Sequence, residues 1–118
     1  MIAVIFEVWP AQGRKDDYLG IAASLREDLV KIDGFLSVER FQSLNDPSKL
    51  LSLSFWRDEK AVKQWRNQTP HRASQAKGRA GIFADYRLRI AGVVRDYGRT
   101  DRYEAPDDSK AVHDKQAG

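Results

Sequence analysis

Three side chains in this sequence are set apart as candidates for chemistry. Glu7 is an acid within the otherwise apolar run from Ile2 to Trp9. Two readings of it stand open. Strand alternation either carries it to a solvated edge or to an arginine such as Arg40 or Arg89, or makes it a pocket carboxylate. In the second case poor solvation would raise its pKa and suit it to take a proton from a phenolic substrate. Trp65 is either a plain core aromatic on the inner side of a short helix, or a pocket wall whose indole N–H donates to a substrate oxygen. His71 follows Pro70 and, apart from His113 near the C-terminus, is the chain's one imidazole. It reads as a surface or capping residue, or as a base or hydrogen-bond donor. Phe55 and Phe83 are apolar groups suited to a substrate wall. Arg72 and Arg79 read as solvated helix charges rather than substrate clamps.

Several chemistries find no partners. Serine nucleophile, paired-carboxylate and zinc arrangements are not assembled by these residues, and the chain has no cysteine and two histidines. Gly78, Gly81 and Gly92 are not enclosed by the strand–turn–helix unit that a phosphate loop requires.

The elements that must position the candidates follow from periodicity. Ile2 to Trp9 predicts a strand with apolar residues on both faces, hence covered on both. Asp16 to Ile32 predicts an amphipathic helix, because Tyr18, Ala22, Leu25, Leu29 and Ile32 recur at three- and four-residue spacing. Gly34 stands where a helix C-terminal cap is expected. Phe35 to Leu44 and Leu50 to Trp56 alternate as two strands, and Asn45-Asp46-Pro47-Ser48-Lys49 between them makes a hairpin turn. In the second of these strands Leu51, Leu53 and Phe55 oppose Ser52, Ser54 and Trp56, the serines leaving room in the sheet. Asp58 suits the N-cap of a helix reaching about Asn67. A second short helix is expected from His71 to Lys77, then a strand from Tyr86 to Val94.

This order is the ferredoxin-like split βαβ arrangement of an α+β domain: four antiparallel strands with both helices on one face. The open face would leave rows such as Ala3/Ile5/Trp9 and Phe35/Phe41 in water, so an identical sheet is the expected cover, closing a dimeric α/β-barrel. The domain spans residues 1–97. Residues 98–118 are polar and irregular in composition, and read as a tail or an arm lying on a partner.

Composition bounds the class. The chain has 118 residues, 42% hydrophobic and 31% charged, which fits one globular domain. Its net charge of +3 comes from bases interleaved with acids, as in Arg57-Asp58-Glu59-Lys60, not from a basic face of the kind that reads nucleic acid. No apolar run is long enough to span a bilayer, and the N-terminus lacks the features of a signal peptide, so the cytoplasm is the expected compartment.

The segment Leu53-Ser54-Phe55-Trp56-Arg57-Asp58-Glu59-Lys60-Ala61, with Gln64-Trp65 and His71 after it, resembles the strand-to-helix signature of antibiotic-biosynthesis-monooxygenase domains. Ile32-Asp33-Gly34-Phe35 is similar to the turn that leads into that family's second strand. The resemblance covers about residues 1–97. It implies a homodimer with a pocket in each subunit between the sheet and the two helices. It also implies a cofactor-independent monooxygenase acting on a small aromatic or quinol-like molecule; the residues read above supply Glu7, Trp65 and His71 as its catalytic candidates and Phe55 and Phe83 against the substrate. The family's haem-degrading branch offers an alternative with haem as cofactor. That branch uses a first-strand Asn, a second-helix Trp and a ligating His. Here those positions hold Glu7, Trp65 and a place near Gln75, with His71 about one helical turn earlier. The third reading is a non-catalytic dimer that binds a small apolar molecule. Neither nucleic acid nor a membrane is an expected partner.

Overall fold

The computed structural model describes residues 1–68, 76 and 81–113. The elements run β1 (Ile2–Pro10), α1 (Lys15–Leu29), β2 (Phe35–Gln42), β3 (Leu50–Trp56), α2 (Glu59–Arg66), β4 (Phe83–Gly92) and α3 (Asp107–His113). The four strands form one sheet in the order β2-β3-β1-β4, every neighbouring pair antiparallel. This is the predicted ferredoxin-like α+β fold.

Register decides what each face carries. Along β1 the pairs Ile2↔Trp56, Val4↔Ser54, Phe6↔Ser52 and Val8↔Leu50 point one way, toward α1 and α2. Two core clusters sit at the ends of this row. At one end Trp56 and Ile2 join Leu29 and Ile32 behind α1 and Ala61, Val62 and Trp65 of α2. At the other Val8 and Leu50 meet Tyr18 and Ile82. Trp56 is only 1% exposed, and burying a ring of that size is worth about 4–6 kcal/mol at the usual area coefficient. Between the two clusters β3 presents Ser52 and Ser54 instead of large apolar groups, so the helices cannot close completely onto the sheet.

Local details depart from the expected pattern in three places. β2 has a register irregularity between Phe35 and Ser37. It turns Phe35 inward, its ring 5.3 Å from that of Trp56, while Phe41 stays on the outer face with 41% of its surface exposed. Phe35 and Phe41 therefore do not share a row, because a bulge inverts the alternation that pairs them. The first helix ends at Leu29, earlier than Ile32, and the chain then turns through Gly34 at φ +94°. The segment read as irregular beyond residue 98 contains α3, and Ala105 before it is buried. Arg102 knits this segment, reaching Ser109 Oγ at 2.7 Å and lying over the Tyr97 ring. The short helix predicted from His71 to Lys77 lies outside the described residues except at position 76.

α2 starts as predicted: the Asp58 carboxylate accepts the Ala61 N–H at 2.9 Å, filling one of the donors that a helix start leaves open. Among the described residues no helix is long and apolar enough to cross a membrane.

Candidate functional site

A cavity of about 340 Å³ lies between the inner face of the sheet and the two helices. Its floor is Val4 and Phe6 of β1, Ser52 and Ser54 of β3, and Val38 and Arg40 of β2. Tyr18, Ile21 and Leu25 of α1 and Val62, Trp65 and Arg66 of α2 form the roof, and Phe83, Tyr86, Leu88 and Ile90 of β4 close one side. Four aromatic rings cluster there: Phe6 lies 5.8 Å from Phe83 and 5.7 Å from Tyr86, and Tyr18 lies 5.8 Å from Phe83. Such a wall suits a flat or cyclic apolar body, for which edge and offset contacts of aromatic rings are favourable.

The polar groups on the wall are few. Ser54 Oγ accepts the Trp56 indole N–H at 2.9 Å, which fixes that ring at the buried end of the cavity. The Arg40 guanidinium enters from β2. Its Nε is buried and has no hydrogen-bond partner. Burial pushes the Tyr18 phenol above its ordinary pKa, and the nearby Arg40 charge opposes this only in part. Tyr18 is therefore a neutral O–H at physiological pH. Among the described residues no carboxylate or imidazole lines the cavity.

The sequence candidates divide. Trp65 and Phe83 line the cavity. Phe55 does not: it pairs with Ala3 and Ser37 on the outer face, and its neighbours Ser54 and Trp56 face inward in its place. Glu7 is likewise on the outer face, because the helices cover the even-numbered row of β1. Lys49 lies 3.3 Å from one of its carboxylate oxygens and Arg89 3.3 Å from the other. The hydrogen bond from Lys49, with the two positive charges, outweighs desolvation and holds the Glu7 carboxyl below its usual pKa. The raised pKa expected of a pocket base is thus reversed, and the pairing reading, with Arg89 and not Arg40, describes this residue. Lys49 also lies over the Trp9 ring, and Trp9 donates its indole N–H to Asp46 at 3.0 Å. Glu7 is thereby tied to the hairpin turn. His71 lies outside the described residues.

Arg40, Tyr18, Phe6 and Tyr86 were not singled out as site residues. For Arg40 the signal was available, since alternation sets Val38 and Arg40 opposite Phe41. Tyr18 was hidden within the apolar stripe of its helix.

The family model of antibiotic biosynthesis monooxygenase matches residues 1–77. This chain belongs to that family. Among curated relatives, the jasmonate monooxygenase ABM of Pyricularia oryzae is 50% identical over 94 residues, which cover 80% of this chain and 44% of that protein. The uncharacterized protein YqjZ of Bacillus subtilis is 34% identical over 62 residues, covering 52% of this chain and 53% of that one. The chain spans about half the length of the curated relatives it matches. Among solved structures, Rv0793 of Mycobacterium tuberculosis superposes with a TM-score of 0.74 at 13% identity, over 82% of this chain and 98% of that one. A structure described as antibiotic biosynthesis monooxygenase gives 0.69 at 18% identity, over 80% and 99%. At those identities the likeness establishes the fold.

Proposed function

We propose that this chain is a monooxygenase whose substrate is a small, largely apolar molecule held in the cavity between sheet and helices. The observation that carries this reading is the aromatic-walled cavity of about 340 Å³ within an antibiotic-biosynthesis-monooxygenase fold. The name of the Pyricularia relative, a jasmonate monooxygenase, supports it by pointing to small-molecule oxygenation. In the cofactor-independent form of the chemistry the substrate itself supplies the electrons. A CH₂ group activated by an adjacent ring or carbonyl loses a proton, the carbanion reduces O₂, and the product is a C=O group with one oxygen atom leaving as water. The chain's part is to exclude water with Phe6, Phe83 and Trp65, and to offer the Tyr18 hydroxyl as a neutral donor to the anion that develops. His71 is the base candidate the sequence retains, since Glu7 is engaged on the outer face.

We further propose that the outer sheet face is covered by a second copy of the chain. Ile5, Leu51, Leu53, Phe55 and Phe41 lie on that face, and an identical sheet is their simplest cover.

The test of the activity is to incubate the protein under ¹⁸O₂ with cyclic ketones and anthrone-type compounds that carry a CH₂ group activated by a ring or carbonyl. Mass spectrometry should find one labelled oxygen per product, with no added cofactor required. Trp65→Ala should depress turnover. Substrate conversion without label, or only in the presence of added haem, refutes the cofactor-independent form.

A further inference from the structure

We infer that the cavity selects small apolar molecules bearing a carboxylate, and that Arg40 is the residue that holds this group. The inference rests on the proposal that the cavity is the substrate site, and adds to it the chemical class of what enters. Charge on the cavity wall is one-sided: Arg40 and Arg66 line it, and no described lining residue is acidic. Arg40 stands opposite Ser52 in the β2–β3 ladder, half-buried on the floor, whereas Arg66 is exposed. Among the described residues Arg40 makes no ion pair, and its buried Nε has no partner. The sequence from Thr69 to Ala80, which joins α2 to β4, contains no acid to supply one. Glu7, on the neighbouring strand, is committed to Lys49 and Arg89 on the opposite face. The Tyr18 hydroxyl accepts a hydrogen bond from the guanidinium but is neutral and cannot balance its charge.

A cation with an unsatisfied donor beside an apolar chamber is costly to bury unless an anion completes it. The guanidinium fork matches a carboxylate in geometry, with two parallel N–H···O bonds available. The rest of the chamber is apolar and aromatic, so the ligand that uses both features has a hydrophobic ring or chain and one carboxylate. Ser52, beside Arg40, offers a second donor to the same group.

Isothermal titration calorimetry on the full chain tests this with two probes of matched shape, 4-phenylbutyrate and 4-phenylbutyramide. The unsubstituted protein should bind the acid at least about tenfold tighter than the amide, the scale of a charge-assisted hydrogen bond. Arg40→Leu should bring the acid-to-amide affinity ratio down to within about threefold of one, and Arg40→Lys should retain part of the preference. Arg40→Gln, neutral and polar, serves the same comparison if the leucine variant does not fold. Equal binding of acid and amide by the unsubstituted chain overturns the inference while leaving the cavity as the substrate site. A preference that persists in Arg40→Leu and Arg40→Gln overturns the assignment to Arg40. Failure of both probes to bind overturns the inference together with the proposal beneath it.

Discussion

Replacing Gly34 by alanine tests the packing that sets β2 against α2. Gly34 has φ +94°, and a Cβ built there would stand 2.8 Å from Ala61 Cβ and 3.2 Å from the Arg57 guanidinium. The arginine tip can swing away, but Ala61 is 2% exposed at the start of α2 and cannot. Left-handed backbone costs an alanine about 1–2 kcal/mol. The forced contact adds about 1–3 kcal/mol, the range for overpacking. Lower entropy of the unfolded chain returns about 0.4–1 kcal/mol. The net loss is roughly 1–5 kcal/mol, centred near 3 kcal/mol. With an unfolding entropy of about 2.1 cal/mol/K per residue, a 3 kcal/mol loss lowers Tm by about 12 °C for a chain of 118 residues.

Gly13 supplies the control. It too has a positive φ, +76°, but a Cβ there meets nothing within 4 Å. Gly13→Ala therefore carries the backbone cost without the contact, and the difference between the two variants isolates the approach to Ala61. Urea unfolding at one fixed protomer concentration should show Gly34→Ala worse by about 1–3 kcal/mol. Adding Ala61→Gly should recover part of this, although glycine in a helix itself costs about 1 kcal/mol, so the double-mutant cycle and not the raw stability is the readout. Equal losses at the two glycines, or no coupling between positions 34 and 61, would refute the reasoning.

Ser54→Ala should destabilise the chain by about 1–3 kcal/mol in the same assay, because the buried Trp56 indole N–H loses its acceptor; a neutral result would mean the N–H finds another. Acid should weaken the fold through Glu7, Asp33, Asp46 and Asp58, all held below their ordinary pKa by hydrogen bonds and positive neighbours. Their folded values lie below the unfolded ones, so the contribution is complete above about pH 5 and is lost as pH falls through the lowered values. Urea midpoints should drop over that range, less steeply in Glu7→Gln, and salt should flatten the slope because all four groups are at least partly exposed. Phe41→Asp should weaken self-association, measured by sedimentation, if the outer sheet face is the contact between copies; an unchanged association constant places that contact elsewhere.

Much of the fold is legible because its signals are local. The hairpin turn at Asn45–Lys49, the Asp58 cap and the apolar stripe of α1 each depend on residues a few positions apart, and each is found where periodicity and turn chemistry put it. The site is less legible because it depends on which face of a two-sided strand the helices cover. β1 is apolar on both faces, so its own pattern cannot say whether Phe6 or Glu7 looks into the pocket. The answer is carried by another strand. β3 alternates large residues, Leu51, Leu53 and Phe55, with the smaller Ser52 and Ser54, and antiparallel register places those serines beside Phe6 and Val4. A chamber forms where side chains are small under a helical roof, so the serine row marks the chamber and the phenylalanine row marks the outer face. Carried across to β2, the same logic sets Arg40 on the serine side through its pairing with Ser52. The bulge at Phe35 does not disturb this, because it lies before Ser37 and the register beyond it is regular. A charged residue on the chamber side of a sheet, opposite a serine and without an acid within reach, is thus a stronger pointer to a ligand than an acid in an apolar strand. The acid can reach bases on the outer face, as Glu7 reaches Lys49 and Arg89, whereas Arg40, half-buried on the chamber side, makes no ion pair among the described residues.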